Sequence, residues 1–209
     1  MSARAIAMDT LRHCLAGLGL FLLCAGWSTL TRAGDEPLVE DTYNNPLLRS
    51  AIVGVLLHDQ GPFSDKLESG SLDLNLEVQF HRPRLKWWPW IGAPYPHLGT
   101  NLNSGGDTSQ LYGGLTWEYQ ALRRLAGTFS AGMSLHNGDI EQEDDELCDD
   151  DGDCGFGTRL IFRFSAGIRF EASKRIGIEA FYDHISHAKI LDAENEGIDS
   201  VGLRVHYRF

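Results

Sequence analysis

A histidine and a serine two positions apart, His184 and Ser186, are the residues of this chain whose types and spacing could do chemistry. They lie in residues 176–188, where the side chains of a strand would alternate between two faces. Both then share a face with apolar residues, while Glu179 and Asp183 lie on the other face. An imidazole beside a hydroxyl can take its proton and make the oxygen a nucleophile. The pair therefore predicts a reactive serine on an apolar surface.

A carboxylate that could orient the imidazole follows on the next predicted strand. Asp199 shares its strand parity with Val201 and Leu203, so we expect it to point toward the same apolar exterior. An antiparallel hairpin across residues 189–197 would bring Asp199 to the strand end where the histidine and serine lie. The residue types thus fit a Ser/His/carboxylate triad. The alternative, polar side chains tolerated where a strand meets lipid headgroups, stays open on these residues alone.

Alternation of apolar and polar residues recurs through the chain and predicts that it is all-β. In residues 72–80 every even position is apolar and every odd one polar, and residues 160–170 alternate in the same way. Charged residues opposite clean apolar stripes are typical of an eight-stranded antiparallel transmembrane β-barrel of the outer membrane, with its polar face in the lumen. The predicted strands are roughly 50–57, 72–80, 91–103, 110–120, 125–137, 158–171, 176–188 and 198–209.

The connections between these strands alternate in kind. Residues 81–86, 121–124 and 173–175 are short and basic, whereas the intervening connections are mostly longer, more polar or more acidic. Short turns of such barrels face the periplasm and long loops face outside. Aromatic residues gather near the short-turn end, as an interfacial girdle would. They are Trp87, Trp88, Trp90, Trp117, Tyr119, Tyr207 and Phe209.

The start of the chain predicts export. Arg4 and Arg12 precede an apolar stretch at residues 14–27 that is too short to span a bilayer as a helix. Small residues around Ala33 suit cleavage, so we expect a signal peptide at 1–33, a periplasmic lead-in at 34–49 and the barrel at 50–209. An uncleaved anchor and a lipoprotein beginning at Cys24 are weaker alternatives.

Net charge and cysteine content limit the classes of ligand and partner that the chain could bind and indicate a disulfide. The formal net charge of −11 argues against nucleic acid. In an exported protein, Cys148 and Cys154 predict a disulfide that closes a small loop, and a thiolate metal site is the weaker alternative. The acidic run at 141–153 indicates a solvated loop, with divalent-ion binding the alternative.

Several motifs together resemble one family. Tyr-Asp-His-Ile-Ser-His-Ala at 182–188, followed by Asn-Glu-Gly-Ile-Asp-Ser at 195–200, is similar to the active-site motif of the lipid A 3-O-deacylase (PagL) family, also labelled acyloxyacyl hydrolase. Pro-His-Leu-Gly-Thr-Asn-Leu-Asn at 96–103, residues 112–117 and residues 155–163 extend the resemblance over most of the chain after residue 49. The resemblance implies an eight-stranded outer-membrane barrel that uses no cofactor and no metal in catalysis.

The resemblance also implies roles for the candidate triad. His184 matches the family's general base and Ser186 its nucleophile. The acid is commonly Glu in the family, and Asp199 is its counterpart here, with Glu196 as a fallback in the loop.

The family's oxyanion residue has no direct match. The position after the nucleophile is often Asn in the family, but it is His187 here, on the lumen parity. His187 itself, or a backbone N–H near Ala188 or Lys189, is then the candidate donor to the oxyanion.

The implied activity is a serine esterase of the outer membrane that hydrolyses the 3-hydroxyacyl ester at the 3-position of lipid A. Its partner is then lipid A, or lipopolysaccharide, in the outer leaflet, and a homodimer is left open. The alternatives are a catalytically inactive outer-membrane barrel with a structural or partner-binding role, and a secreted soluble lectin-like β protein.

Overall fold

The barrel is closed and fully antiparallel. The computed structural model describes residues 45–64, 68, 70–138, 158–186 and 197–209. Within them, each strand pairs with its sequence neighbours and the last pairs with the first, which confirms the predicted eight-stranded barrel. The strands are β1 (Leu48–Leu57), β2 (Leu72–Phe80), β3 (Tyr95–Asn103), β4 (Gln110–Leu122), β5 (Leu125–His136), β6 (Leu160–Glu171), β7 (Ile176–Ser186) and β8 (Ile198–Arg208).

The two faces of the wall differ as the alternation predicts. On β1, Val53, Val55 and Leu57 are exposed on the outside, whereas Ile52 and Leu56 are buried inside. An apolar exterior around a polar interior is the arrangement of a barrel that spans a membrane. No helix in the described part of the chain is long and apolar enough to cross a membrane.

The barrel has two unlike ends. At the loop end lie the β1–β2 loop (residues 58–71), the β3–β4 loop (104–109) and the connections from β5 to β6 and from β7 to β8. At the turn end lie residues 123–124, residues 172–175 and the β2–β3 connection. The loop end is where the candidate triad residues fall.

The start of the predicted third strand is wrong. Trp88–Ile91 form a 3₁₀ helix with Pro89 in its first turn, where a missing N–H costs nothing. Gly92 ends the helix at φ 84°, and β3 begins only at Tyr95. The connection predicted as a short basic turn at 81–86 therefore runs to residue 94.

The aromatic residues at the turn end are mostly on the surface. Trp87, Trp90 and Tyr119 are exposed, as an interfacial girdle requires. Trp88 differs, because it is only 8% exposed and its indole N–H donates to the Pro94 carbonyl at 2.9 Å. This hydrogen bond ties the 3₁₀ helix to the residue that precedes β3.

Paired charges fill the lumen. Arg204 on β8 contacts Glu179 on β7 at 2.6 Å and Glu77 on β2 at 2.9 Å, and its guanidinium stacks on the Phe181 ring at 3.4 Å. Glu179 also accepts hydrogen bonds from Thr128 at 2.6 Å and from His206 at 2.8 Å. Other buried lumen charges are Arg49, Arg163, Arg169, Glu171, Asp183 and Arg208. An eight-stranded barrel leaves room for little more than such side chains.

A buried histidine fastens the β1–β2 loop to the barrel. His58 Nδ1 lies 2.9 Å from Asp73 on β2, and its Nε2 lies 3.0 Å from Glu68 within the loop. Glu68 accepts the hydroxyl and the backbone N–H of Thr108 at 2.8 and 2.9 Å, which ties the β1–β2 loop to the β3–β4 loop. Burial lowers the pKa of His58, but the two carboxylate partners outweigh it and raise the pKa to about 9.

Removal of the Glu179 carboxylate should destabilise the barrel. Glu179→Ala leaves the buried Arg204 with one counter-charge in place of two, so we expect a loss of roughly 3–5 kcal/mol in the free energy of unfolding. Urea unfolding in detergent micelles measures it. Ala180→Leu, on the outer face of the same strand, is the control and should change stability by about 0.5 kcal/mol or less. An unchanged midpoint in Glu179→Ala would contradict the stabilising role of the lumen pairs.

The raised pKa of His58 predicts a pH dependence of stability. The folded protein keeps the His58 proton up to about pH 9, while an unfolded chain releases it near 6.5. The contribution is fully present below the unfolded pKa, and about 3 kcal/mol is lost as pH rises through the folded pKa. Urea midpoints from about pH 6 to about pH 10 should fall for the wild type and fall less for His58→Gln. Equal slopes in the two proteins would refute the assignment.

Candidate active site

The structure brings the three candidate residues into one hydrogen-bonded chain. His184 Nε2 lies 3.0 Å from Ser186 Oγ, and His184 Nδ1 lies 2.7 Å from Asp199 Oδ1. These are the contacts by which a carboxylate orients an imidazole and the imidazole accepts a hydroxyl proton. The geometry is therefore that of a Ser/His/Asp triad.

Strand pairing places these side chains on the outside of the barrel at the loop end. His184 lies directly opposite Asp199 in the β7–β8 ladder, and Ser186 is the last residue of β7. The residue directly before β8 is Gly197, and a Cβ at this position would lie only 2.5 Å from His184 Cε1. A larger residue would therefore displace the imidazole. The imidazole thus packs against bare backbone.

An apolar cluster supports the site from the lumen side. Ile185, between the histidine and the serine in sequence, points inward and packs with Ile161 and Ile198. All three side chains are buried. Close packing on the inner face restricts the backbone that carries the triad on the outer face.

The acid of the triad is enclosed, unlike the other two members. Asp199 is 0% exposed, although its parity points it outward, whereas the His184 side chain keeps 20% of its surface. Asp199 Oδ1 accepts the Tyr182 hydroxyl at 2.6 Å as well as the imidazole, and Oδ2 accepts the backbone N–H of Phe63 at 2.6 Å. The expected lipid-facing carboxylate is thus covered by the β1–β2 loop.

Sequence reasoning missed two of these contacts. Tyr182 shares its face with His184, so its parity could have identified it as a partner of the triad. Phe63 offered no signal, because it lies in a loop 136 residues away from Asp199 and contributes a main-chain donor.

Several predicted residues lie outside the described part of the chain. The oxyanion candidates His187, Ala188 and Lys189 and the fallback acid Glu196 fall there. So do Cys148 and Cys154, the acidic run at 141–153 and the predicted signal peptide. Among the residues that the structure does describe, no group of three or more His, Cys, Asp or Glu could hold a metal ion.

Comparison with solved structures finds small barrels of low sequence identity. The crystal structure of the outer membrane enzyme PagL is 20% identical over 78% of this chain and 99% of that one, with a TM-score of 0.47. The N-terminal β-barrel domain of Pseudomonas aeruginosa OprF is 10% identical over 78% and 99%, with a TM-score of 0.45. A designed transmembrane β-barrel is 12% identical over 84% and 98%, with a TM-score of 0.47.

Comparison by sequence identifies the family. No curated protein matches the chain. A family model described as lipid A 3-O-deacylase (PagL) matches residues 69–208, which include seven of the eight strands and all three triad residues. The chain therefore belongs to the lipid A 3-O-deacylase (PagL) family of outer-membrane β-barrels.

Proposed function

We propose that this protein is a serine esterase of the outer membrane that hydrolyses the ester of the 3-hydroxyacyl chain at the 3-position of lipid A. The observation that carries the proposal is the hydrogen-bonded chain from Ser186 through His184 to Asp199 on the outer face of the barrel. Membership of the deacylase family supports the substrate class.

Each residue has a defined part in the reaction. Ser186 Oγ attacks the acyl carbonyl carbon while His184 Nε2, 3.0 Å away, takes the hydroxyl proton. The tetrahedral intermediate collapses, the ester C–O bond breaks, and His184 returns the proton to the departing sugar oxygen. Water, deprotonated by the same imidazole, then attacks the acyl-enzyme and releases the 3-hydroxy fatty acid and Ser186.

The buried carboxylate sets the state of the imidazole. Asp199 Oδ1 accepts the Nδ1–H of His184 at 2.7 Å, so the lone pair of Nε2 faces Ser186. The same carboxylate stabilises the imidazolium that forms when the serine is deprotonated. For the oxyanion we keep the proposal of His187 or a backbone N–H near Ala188 or Lys189 as the donor.

The position of the triad fits a substrate that lies in the membrane. Ester bonds of lipid A lie near the outer leaflet's polar boundary, and the loop end of the barrel presents Ser186 and His184 toward that boundary. The lumen is filled with paired charges such as Arg204 and Glu179. Lipid therefore reaches the serine laterally, without entering the barrel.

The proposal predicts a change in the lipid A of cells that make the protein. Expression in bacteria with a complete lipid A should lower its mass by one 3-hydroxyacyl group, as measured by mass spectrometry. Ser186→Ala and His184→Ala should each reduce the conversion by roughly 10³-fold or more. Heat-modifiable migration on gels checks that each variant still folds.

An inactive barrel gives a different outcome, which a chemical probe detects. Purified protein in detergent should react with a fluorophosphonate at Ser186, and His184→Ala should suppress the labelling. A folded wild-type protein that neither takes the label nor changes lipid A would exclude the esterase and favour a structural or partner-binding role. The replacement of the family's Asn by His187 would then explain the loss of activity.

A further inference from the structure

The carboxylate of Asp199 lies on the outer face of the wall, yet no part of it reaches solvent. A charged group at such a place is costly unless other groups replace the water around it. His184 and Tyr182, both on β7, supply two of the replacing hydrogen bonds. The rest of the enclosure comes from the β1–β2 loop, which is far from β7 and β8 in sequence.

Main-chain groups of the loop hold both the side chain and the backbone of Asp199. The N–H of Phe63 donates to Asp199 Oδ2 at 2.6 Å, and the N–H of Gln60 donates to the Asp199 carbonyl at 2.8 Å. Hydrogen bonds from backbone N–H groups to a carboxylate are among the stronger ones in proteins. The loop thus fixes the oxygen that faces away from the imidazole.

The loop approaches so closely that one position requires glycine. A Cβ on Gly61 would lie 2.2 Å from both Cβ and Oδ2 of Asp199. The backbone of Gly61 is not in the left-handed region, so the constraint at this position is space alone. Any side chain there must displace either the loop or the carboxylate.

An aromatic ring of the loop completes the contact with the triad. The Phe63 ring meets the His184 ring edge to face, with centroids 6.0 Å apart and an interplanar angle of 72°. The ring is 66% exposed, so its other side lies on the surface beside the triad. It shields one side of the imidazole from water.

The loop has its own anchors, which are independent of the triad. Asp59 accepts hydrogen bonds from the Ser64 hydroxyl and from the Glu68 N–H, the latter at 3.0 Å. The His58 N–H donates to the Ser71 carbonyl at 3.1 Å, and the His58 ring bonds to Asp73. These hydrogen bonds anchor the loop on both sides of residues 60–63 and do not involve Asp199.

We propose that residues 60–63 of the β1–β2 loop form a positioning element for the triad, in which the Phe63 N–H and the bare backbone of Gly61 hold the Asp199 carboxylate against His184. The inference rests on the esterase activity proposed above. A carboxylate fixed on one oxygen by the loop and on the other by Tyr182 and His184 cannot rotate as the imidazole gains charge. That preorganisation favours proton transfer from Ser186.

A double-mutant cycle tests the proposal with the full-length protein in detergent. Gly61→Ala should lower kcat for lipid A hydrolysis by about 10- to 100-fold with little change in KM, because it moves the carboxylate and leaves the lipid-binding surface intact. The rate of fluorophosphonate labelling of Ser186 should fall in parallel. In an Asp199→Gly background, Gly61→Ala should change either rate by less than about twofold, because both the Cβ and the carboxylate that the new methyl group would contact are gone.

Two further variants keep the test decisive. Gly127→Ala is the matched control, since a Cβ at Gly127 meets no atom within 4 Å, and it should leave kcat and labelling unchanged. Pro62→Gly loosens the loop next to Phe63 without adding a heavy atom, so it applies even where Gly61→Ala fails to fold. We expect it to lower kcat about threefold, again only when Asp199 is present.

The possible outcomes distinguish a failure of the positioning role from a failure of the proposed esterase function. A Ser186→Ala protein that still hydrolyses lipid A overturns the proposed function. If Ser186→Ala is inactive but Gly61→Ala and Pro62→Gly keep the wild-type kcat, the loop has no positioning role. The same holds if their losses persist undiminished in the Asp199→Gly background.

Discussion

The pairing of β7 with β8 sets both the ion pairs of the lumen and the geometry of the candidate triad. One register places Glu179 opposite Arg204 in the lumen and, five residues further along, His184 opposite Asp199 on the outside. A slip of one residue would turn every side chain of β8 to the other face. It would leave Glu179 buried in the lumen without Arg204 and turn the Arg204 guanidinium toward the apolar exterior. The buried ion pair therefore stabilises the strand register that the triad geometry requires.

The closed lumen and the external site are two results of the same alternation. Eight strands enclose only enough space for their own inward side chains, and here those side chains carry opposite charges that neutralise one another. The strand ends on the outer face, by contrast, meet the boundary at which an ester of an outer-leaflet lipid would lie. The ion pairs of the lumen thus support the proposal that the chemistry takes place on the outer wall.

The sequence predicted the parts of this structure that follow from period-two patterns. Strand β2 coincides with its predicted span at Leu72–Phe80, and the face shared by His184 and Ser186 is the face observed. The prediction failed at the start of the third strand, where Ile91 ends a 3₁₀ helix and the strand begins only at Tyr95, because isoleucine alone suits a strand and gives no sign of the helix. It failed again at Asp199, whose parity is outward while its burial depends on a loop. Loop contacts across the barrel leave no periodic trace in a sequence.

The choice of aspartate as the acid is linked to the nearness of the loop. Asp199 lies directly across the ladder from His184, and its short side chain already brings Oδ1 within 2.7 Å of the imidazole. A glutamate, one methylene longer, would carry its carboxylate past that point toward Gly61 and Phe63, whose backbones fill the space. A glutamate at this position would therefore require the loop to lie further from β8. In this chain the short side chain of Asp199, the missing side chain of Gly61 and the close approach of the β1–β2 loop depend on one another. A larger residue at either position requires the loop to move.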